Sequence, residues 1–563
     1  MTFERRLHSM LKLKLVSSQV KAFLDDSIGS FKSLEKISAL GGEKLSFCVL
    51  YVDEGEPYLP FRALAELKID GELSAFATVR DVRNVPVDRP VNPLRHDDQY
   101  LRKTPGLYPD LLTPLRYNGK VVLGTDKLRT LWVEINIPKG YYGDSVFTVT
   151  ITEPNTKTAS SVSVDIHVIA ADLPKQELLF TQWFYPDCLA SYYQVPAWSE
   201  EHWRIVENFA RLAAKRGRNV IYTPLFTPFL NVQPDFYRTP CQLVDVIVEE
   251  GYYRFDFSKV DRWVDMCDRL GFEYFEISHF YQQHLAKYAA HIYGIVDGQQ
   301  KRIFGWETES LDETYQNFLR QLIAAFIDHM KARGDDQRCI YHISDEPDLE
   351  NLEHYQTVKN AIGDLLEGYK IVDALSDYEF YKTRALEHPV PTTTSAHKFL
   401  EGGVQDLWVY YACNQLIEYT NCYVAMPSWR TRSLGFQLFK YPNITGFLHW
   451  GYNYYNNRAS GDAINPFLDL GGEDWVPAGD TFMVYPDQDG QPLESIRMLT
   501  LEEALQDYRA LTLCARYYSH RQIMDAIEAV LGENISFTRC AHSEDEMLQI
   551  RTVINNMIEK AIT

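Results

Sequence analysis

The feature that most constrains the fold of this chain is an alternation of short apolar runs with amphipathic segments, which begins after Pro174. Such an alternation predicts βα units around a parallel sheet. One segment shows the helical period clearly, because Tyr355, Val358 and Ile362 recur at steps of three and four. Apolar runs occur at residues 177–184, 219–226, 273–280, 339–344, 370–376, 389–395, 407–412 and 444–450. Eight strands predict a (β/α)8 barrel of the TIM type.

The segments outside this region have different patterns. Before residue 174, short strand-like runs are separated by Gly, Pro, Asn and Asp, as expected for an antiparallel β-sandwich. After residue 473, a stretch rich in Leu, Ala and Glu predicts helices. A chain of 563 residues is also too long for one core. We therefore predict an N-terminal β-sandwich over residues 1–173, the barrel over 174–473, and a mostly helical C-terminal tail over 474–563 that packs on the barrel.

The charge balance argues against two classes of partner. The formal net charge is -21, from 77 acidic and 56 basic residues, so repulsion disfavours binding to nucleic acid or to an anionic membrane surface. No apolar run approaches the roughly 18 residues that a membrane span needs. The amino terminus lacks the continuous apolar segment of a secretory signal, so we expect a cytoplasmic protein, or a secreted one if a leader has been removed.

The cysteine and aromatic contents bear on cofactors and substrates. The nine cysteines are scattered and form no C-x-x-C pair, which indicates neither a disulfide framework nor a zinc site. We expect no metal and no other cofactor. Aromatic residues make up 13% of the chain, and their flat faces suit the C–H edges of sugar rings. A neutral carbohydrate is therefore the favoured partner.

An adjacent pair of carboxylates, Asp345 and Glu346, follows the fourth predicted strand. Catalytic side chains of such barrels lie at the carboxyl ends of the strands. Neighbouring residues on a strand point to opposite faces, so the two can share a pocket only if the chain bends, and Pro347 favours a bend. The pair suits hydrolysis of 2-acetamido glycosides, in which Glu346 protonates the leaving oxygen and Asp345 orients the acetamido group. Carboxylates this close should also raise one pKa, as a general acid requires.

Polar and aromatic side chains at the ends of the other strands are candidates for substrate binding. A single histidine or tryptophan of this kind is more often structural, but their joint occurrence at one rim favours a site. Trp450 is the expected stacking surface for a sugar ring. The candidates are Trp183, His279, Tyr410, Tyr411, Asn414, His449, Trp450, Tyr452 and Asn453.

Three motifs together resemble glycoside hydrolase family 123 and its relatives of unknown function. They are "HISDEP" at 342–347, "ITGFLHWGYNYYN" at 444–456, and the long segment "GDTFMVYPDQDGQPLESIRMLTLEEALQDYRAL" from residue 479 to 511. The resemblance implies a β-N-acetylgalactosaminidase that works by substrate-assisted, retaining hydrolysis. It also implies that Asp345 stabilises the acetamido group and that Glu346 is the general acid and base.

Two alternatives remain open from the sequence. The first is another sugar specificity on the same barrel. The second is a carbohydrate-binding protein without turnover, although a pure binder does not need two adjacent carboxylates. The linkage, the aglycone, the choice between exo and endo action and the oligomeric state are not determined by these patterns.

Overall fold

The computed structural model describes residues 10–54, 63–124, 127–154, 157–228, 233, 236–249, 252–283, 286–458 and 461–563. The chain divides into two compact units. One contains Met1–Gln176, Thr420–Lys440 and Leu493–Thr563, and the other contains Glu177–Tyr419 and Tyr441–Pro492. None of the helices in the described part is long and apolar enough to cross a membrane.

The strands, in chain order, are β1 (Leu11–Ser17), β2 (Lys36–Gly41), β3 (Lys44–Asp53), β4 (Ala63–Asp70), β5 (Ala77–Val87), β6 (Gly106–Pro114), β7 (Val121–Leu123), β8 (Arg129–Asn136), β9 (Gly143–Thr152), β10 (Ala159–Asp172), β11 (Leu179–Gln182), β12 (Val220–Thr223), β13 (Asp245–Glu249), β14 (Tyr252–Asp256), β15 (Tyr274–Ile277), β16 (Ile292–Val296), β17 (Gln299–Phe304), β18 (Cys339–Tyr341), β19 (Lys370–Ala374), β20 (His388–Val390), β21 (Leu407–Tyr410), β22 (Ile444–His449), β23 (Val484–Pro486) and β24 (Pro492–Glu494).

The helices are α1 (Arg116–Gly119, a single distorted turn), α2 (Pro186–Tyr193), α3 (Glu200–Lys215), α4 (Ser258–Leu270), α5 (Glu313–Arg333), α6 (Leu352–Gly363), α7 (Tyr378–Lys382), α8 (Ala396–Glu401), α9 (Ser428–Arg432), α10 (Leu434–Lys440), α11 (Ile496–Cys514), α12 (His520–Leu531) and α13 (Glu544–Ile562).

The first unit contains two five-stranded sheets that share one core. Their strand orders are β1-β3-β8-β5-β6 and β2-β10-β9-β4-β7. Side chains alternate between buried and partly exposed along the second half of β9, as expected for a sheet with one covered face. Phe47 and Val133 of the first sheet belong to the same buried cluster as Phe147 and Ile166 of the second. The mostly β amino-terminal region is therefore confirmed.

The last three helices belong to this first unit, which differs from the predicted division. Leu511 of α11, Ile527 of α12 and Ile554 of α13 form a buried cluster with Leu40 of β2 and Ile169 of β10. The helical carboxyl terminus is confirmed. Residues 493–563 group with the amino-terminal sheets and with Thr420–Lys440, and residues 474–492 group with the barrel.

A buried ion-pair network connects the same helices. Arg432 of α9 donates hydrogen bonds to both oxygens of Asp507 and to Glu503, both on α11. Arg551 of α13 donates to Asp507 at 2.8 Å and to Glu43 at 2.6 Å. Because buried charges are tolerated only when paired and hydrogen-bonded, this network favours one arrangement of the helices on the sheets.

The second unit is a nearly closed barrel of eight parallel strands. Its order is β20-β19-β18-β15-β12-β11-β22-β21. The ends of the sheet meet where the Thr393 N–H donates to the Tyr410 carbonyl at 2.8 Å and the Tyr410 N–H donates to the Pro391 carbonyl at 3.1 Å. Each predicted apolar run contains or overlaps one of these strands. Most of the strands end before the predicted run does, so the polar residues that follow lie at the carboxyl-terminal rim.

Helix α5 illustrates how the local sequence sets the elements of the barrel. The Asp312 side chain accepts hydrogen bonds from the first-turn N–H groups, and Gly334 ends the helix with φ 79°. Between these caps, Phe318, Leu322 and Phe326 repeat every four residues and are buried. A further four-stranded sheet, in the order β14-β13-β16-β17, is built from the long segments that follow the second and third barrel strands.

Candidate active site

The two adjacent carboxylates lie just beyond the fourth barrel strand. Strand β18 ends at Tyr341, and Glu346 has φ 50°, in the left-handed region. A non-glycine residue adopts this conformation at a local cost, which the surrounding structure must offset, and such residues are common at functional sites. The resulting bend brings Asp345 and Glu346 to one cavity of about 590 Å³. The expected bend is therefore present, and it occurs at Glu346 itself.

Asp345 is the buried member of the pair. Only 5% of it is exposed, and Gln283 Nε2 donates to its Oδ2 at 2.8 Å. Burial raises the pKa of Asp345 well above its ordinary value, the charge of Glu346 raises it further, and His342 partly opposes both effects. The raised pKa expected within the pair is thus found at Asp345, and loss of hydration is its main cause.

Glu346 is exposed to the cavity and has a phenol partner. Tyr410 Oη donates to Glu346 Oε1 at 2.7 Å. Burial raises the pKa of Tyr410 well above 10, and the charges of Glu346 and Asp345 raise it further. The phenol therefore stays protonated at neutral pH and remains a donor to the carboxylate.

The cavity has tryptophan residues in its lining. Trp183, Trp450 and Trp475 all contribute, and the rings of Trp450 and Trp475 lie 5.3 Å apart. Hydrogen bonds from Trp183 Nε1 to Glu276 at 2.7 Å and from Trp450 Nε1 to Asp480 at 2.9 Å fix two of the rings. Fixed aromatic faces at a cavity are suited to stacking on pyranose rings.

Side chains bearing hydroxyl and amide groups also line the cavity. Ser376 Oγ donates to Thr392 Oγ1 at 3.1 Å, and Thr392 and Thr394 share a hydrogen bond of 2.8 Å. Gln415 Nε2 donates to Thr394 at 3.4 Å. Arg458 contributes a cation, with its guanidinium 5.2 Å from the centre of the Trp475 ring. These groups can exchange hydrogen bonds with the hydroxyls of a sugar.

A layer of buried polar side chains lies within the barrel beside Asp345. His342 Nε2 is 2.8 Å from Glu276 Oε1, and His342 Nδ1 is 3.3 Å from Asp373 Oδ1. His279 stacks on His342 with ring centres 4.2 Å apart. All four residues are fully buried. Barrel interiors are usually filled by Val, Ile and Leu, so a charged layer of this kind indicates a functional constraint.

Three of these residues lie close enough together to be considered as ligands of one metal ion, namely His279, His342 and Asp373. Both nitrogens of His342 already face carboxylate oxygens. Burial alone would lower its pKa, but the hydrogen bonds to Asp373 and Glu276 raise it to about 9. A protonated imidazole offers no lone pair to a metal. This donor set therefore does not fit a metal ion.

The structure brings four of the nine predicted substrate-binding residues to the cavity. Trp183, Tyr410, Asn414 and Trp450 line it together with Asp345 and Glu346. The remaining five are not among its lining residues, namely His279, Tyr411, His449, Tyr452 and Asn453.

Those five side chains are fully buried and make contacts within the barrel unit. The His279 ring is hydrogen-bonded to Tyr222, and the Tyr411 ring packs on Phe447 and on His449. His449 Nδ1 accepts the Gly451 N–H at 3.1 Å, and Tyr452 Oη donates to the Phe209 carbonyl at 2.9 Å. The Asn453 side-chain amide accepts a hydrogen bond from the Tyr185 N–H and donates one to the Tyr185 carbonyl. Position after a strand end was therefore not sufficient to place a side chain in the cavity.

Sequence reasoning missed several residues of the cavity. Gln283 comes from the long segment after the third strand, and Arg458 and Trp475 come from the segments after the eighth. Thr392 and Thr394 belong to the run "PTTTS", which lies in the segment predicted as the sixth barrel strand. A run of hydroxyl residues at the end of a barrel strand was the available signal for this wall.

The fold and the cavity together define a class of protein. Two carboxylates at the carboxyl end of a parallel barrel, in a cavity lined by tryptophans, are the arrangement used for the hydrolysis of glycosides. The family description "Glycoside hydrolase 123, catalytic domain" matches residues 183–514, more than half of the chain. The chain therefore belongs to glycoside hydrolase family 123, and the family predicted from the sequence motifs is confirmed.

A solved structure of the same family agrees with this assignment at the level of the fold. A family 123 glycoside hydrolase from Clostridium perfringens, studied for glycolipid glycan hydrolysis, superimposes with a TM-score of 0.70 at 14% identity, over 98% of this chain and 97% of that one. A β-glucuronidase from Parabacteroides merdae matches with a TM-score of 0.31 at 11% identity, over 86% of this chain and 50% of that one. The second similarity is too weak to bear on function. No curated protein matches the chain in sequence.

Proposed function

We propose that this glycoside hydrolase cleaves β-linked N-acetylgalactosamine by substrate-assisted hydrolysis with retention of configuration. The observation that carries the proposal is the placement of Asp345 and Glu346 in one cavity, with one carboxylate buried and the other exposed. Different surroundings suit different roles: the buried group holds the substrate's acetamido group and the exposed group transfers the proton.

Asp345 is suited to stabilising the acetamido group. Gln283 holds Oδ2, and no hydrogen bond from the described residues reaches Oδ1, so that oxygen can accept the substrate's amide N–H. As the acetamido oxygen attacks the anomeric carbon, the amide becomes positively charged, and a carboxylate beside it stabilises this charge. The positive charge that develops on the substrate thus favours the ionised form of a group whose pKa burial raises.

Glu346 is suited to proton transfer. Its exposure to the cavity lets it reach the glycosidic oxygen, to which it gives a proton as the bond breaks. The carboxylate that results accepts the hydrogen bond from Tyr410, and hydrogen bonds to an ionised acceptor are stronger than those to a neutral one. In the second half of the reaction the same carboxylate takes a proton from the attacking water.

The lining of the cavity is compatible with a sugar chain. The tryptophans offer stacking faces, and the Ser376, Thr392 and Thr394 hydroxyls offer partners for sugar hydroxyls. The relative from Clostridium perfringens was studied with glycolipid glycans, so we propose that the substrate is the glycan of a glycolipid or a related oligosaccharide.

The test compares three chromogenic substrates: the 4-nitrophenyl β-glycosides of N-acetylgalactosamine, N-acetylglucosamine and galactose. We expect hydrolysis of the first at the highest kcat/KM and none of the galactoside, which lacks the participating amide. Nuclear magnetic resonance should show the β-anomer as the first product. Equal rates on the galactoside would exclude participation of the acetamido group, and binding of all three without turnover would indicate a carbohydrate-binding protein.

A further inference from the structure

Asp345 lies beside a buried histidine that is three residues earlier in the chain. We propose that His342, held as an imidazolium between Glu276 and Asp373, is a positioning residue that provides the countercharge for Asp345 during catalysis. This inference rests on the proposed role of Asp345 and adds a second residue to it.

The contacts of His342 match a ring with a proton on each nitrogen. Nε2 faces a Glu276 oxygen at 2.8 Å, and Nδ1 faces an Asp373 oxygen at 3.3 Å. Ionised carboxylates only accept hydrogen bonds, so a ring held between two of them donates from both nitrogens. The pKa of His342, about 9, agrees with this assignment: burial lowers it, and the two carboxylates more than compensate. The ring is therefore positively charged at neutral pH.

Asp373 connects the imidazolium to the backbone that carries Asp345. Its oxygens accept the N–H groups of Ile343 at 3.0 Å and Ser344 at 3.4 Å, in addition to the Tyr355 hydroxyl at 2.6 Å. These two N–H groups belong to the residues between His342 and Asp345. The same carboxylate thus orients the histidine and the chain that leads to the catalytic pair.

Glu276 connects the imidazolium to the wall of the cavity. It accepts hydrogen bonds from Trp183 Nε1 at 2.7 Å and from Thr181 Oγ1 at 2.6 Å. The Trp183 ring itself lies 6.1 Å from the His342 ring, edge to face. A change at His342 is therefore transmitted both to Asp345 and to a ring that lines the cavity.

The charges around Asp345 show why a cation is needed there. Electrostatic interactions with Glu346 and Asp373 raise the pKa of Asp345, whereas the interaction with His342 lowers it. Gln283 is a neutral donor, and the nearby phenols of Tyr222 and Tyr410 have pKa values raised well above 10 and stay uncharged.

The groups that face His342 leave it as the cation of this layer. Glu276 and Asp373 are its two carboxylate partners. Burial lowers the pKa of the stacked His279 far below 6.5, and the charge of His342 lowers it further, so His279 is neutral. Without His342, neither position of the stacked histidine pair would carry a positive charge to oppose the carboxylates of this buried layer. The pKa of Asp345 would then be higher.

The chemical consequence is a limit on the pH range of activity. Asp345 must have released its proton to solvent before the acetamido group cyclises, because only the carboxylate stabilises the positive charge that develops. Removing the imidazolium should raise the pKa of Asp345, so the rate would require a higher pH. The acid limb of the kcat/KM profile is then expected to move upward.

The test replaces His342 by glutamine, which keeps a hydrogen-bond donor and removes the charge. We expect the acid limb of kcat/KM to move up by about one pH unit or more, which corresponds to roughly tenfold lower activity at pH values below the limb. The matched control is His279→Gln, which removes a buried neutral imidazole from the same stack. The control is expected to leave the position of the limb unchanged. An unchanged limb in His342→Gln, or an equal shift in His279→Gln, would overturn the proposal.

A second variant addresses the case in which His342→Gln folds poorly. His342→Gln combined with Glu276→Gln removes one charge of each sign from the buried layer. Glu346, His342 and Asp373 are the charges that act most strongly on Asp345, so the additional change at Glu276 should leave the upward shift in place. Recovery of the wild-type limb in this double variant would overturn the proposal that the charge of His342 acts on Asp345.

A measurement without substrate separates this inference from the proposed function. Aspartate labelled with ¹³C at the side-chain carboxyl, with Asp345→Asn used for assignment, reports the titration of Asp345 directly. A titration that moves to higher pH in His342→Gln supports the countercharge even if the wild-type enzyme cleaves no 2-acetamido glycoside, an outcome that would reject only the proposed function. An unmoved titration overturns the inference, whatever the activity.

Discussion

Replacing Tyr410 by phenylalanine tests how much the phenol contributes to proton transfer by Glu346. The change removes one hydroxyl, which donates to Glu346 Oε1 at 2.7 Å, and keeps the ring that lines the cavity. A hydrogen bond to a charged group is worth about 1.5–3 kcal/mol. At about 1.4 kcal/mol for each factor of ten, complete loss of that energy in the transition state lowers the rate roughly 10- to 150-fold.

The surroundings of Glu346 favour the lower part of this range. The carboxylate is exposed to the cavity, so a water molecule can take the place of the lost hydroxyl and recover part of the interaction. We therefore expect kcat/KM to fall by about 10- to 30-fold on a natural oligosaccharide, whose leaving group needs the proton. The fall should be smaller on a 2,4-dinitrophenyl glycoside, whose leaving group departs without protonation.

The assay measures kcat/KM for both substrates in wild type, Tyr410→Phe and Tyr411→Phe. Tyr411 is the matched control, because it is the next residue, is fully buried and does not contribute to the cavity lining. We expect the ratio of the two substrates to be unchanged in the control. An equal loss on both substrates in Tyr410→Phe would refute the role in proton transfer and indicate an effect on the position of the substrate.

Three further predictions concern the carboxylate pair and the buried histidine. Glu346→Gln should lower turnover of substrates with poor leaving groups by about 10²–10⁴ and leave binding largely intact, as measured by kinetics and calorimetry. The wild type should bind a thiazoline analogue of the cyclised sugar far better than the sugar itself. Asp345→Asn should lower kcat and abolish this tight binding. Covalent trapping of Asp345 by a 2-fluoro sugar would contradict this mechanism. The pKa of His342 is raised from 6.5 to about 9, so its contribution to stability is fully present below pH 6.5 and lost as the pH rises through 9. The unfolding midpoint of the wild type should fall over that interval, and that part of the fall should be absent from His342→Gln.

The sequence by itself predicted the barrel and the position of the adjacent carboxylates at its rim. Eight apolar runs separated by amphipathic segments leave few alternatives to a parallel barrel, because each run must be covered by the helix that follows it. The positions of Asp345 and Glu346 then follow, since the end of a buried strand at a barrel rim is where polar side chains are accessible. Both inferences depend on local pattern and need no knowledge of distant contacts.

Tertiary structure decided which of the remaining side chains reach the cavity. Tyr410 and Tyr411 are adjacent, yet Tyr410 donates to Glu346 and Tyr411 packs on Phe447. Neighbours on a strand point to opposite sides, but the point where the strand ends and this alternation stops depends on the partner strands. Gln283 lies 62 residues from Asp345 in sequence. It belongs to a loop whose path cannot be predicted from the local sequence.

Tertiary structure also decided where the carboxyl-terminal helices belong. Helix α11 is buried along most of its length and has no single apolar face, so its sequence does not indicate one partner surface. The ion pair of Arg551 with Glu43 joins residues 508 positions apart in the chain, and Asp507 pairs with both Arg432 and Arg551. The position of a helix that is buried on all sides depends on every surface that packs against it. Local sequence therefore predicts that such a helix forms, and only the assembled core determines what it packs against.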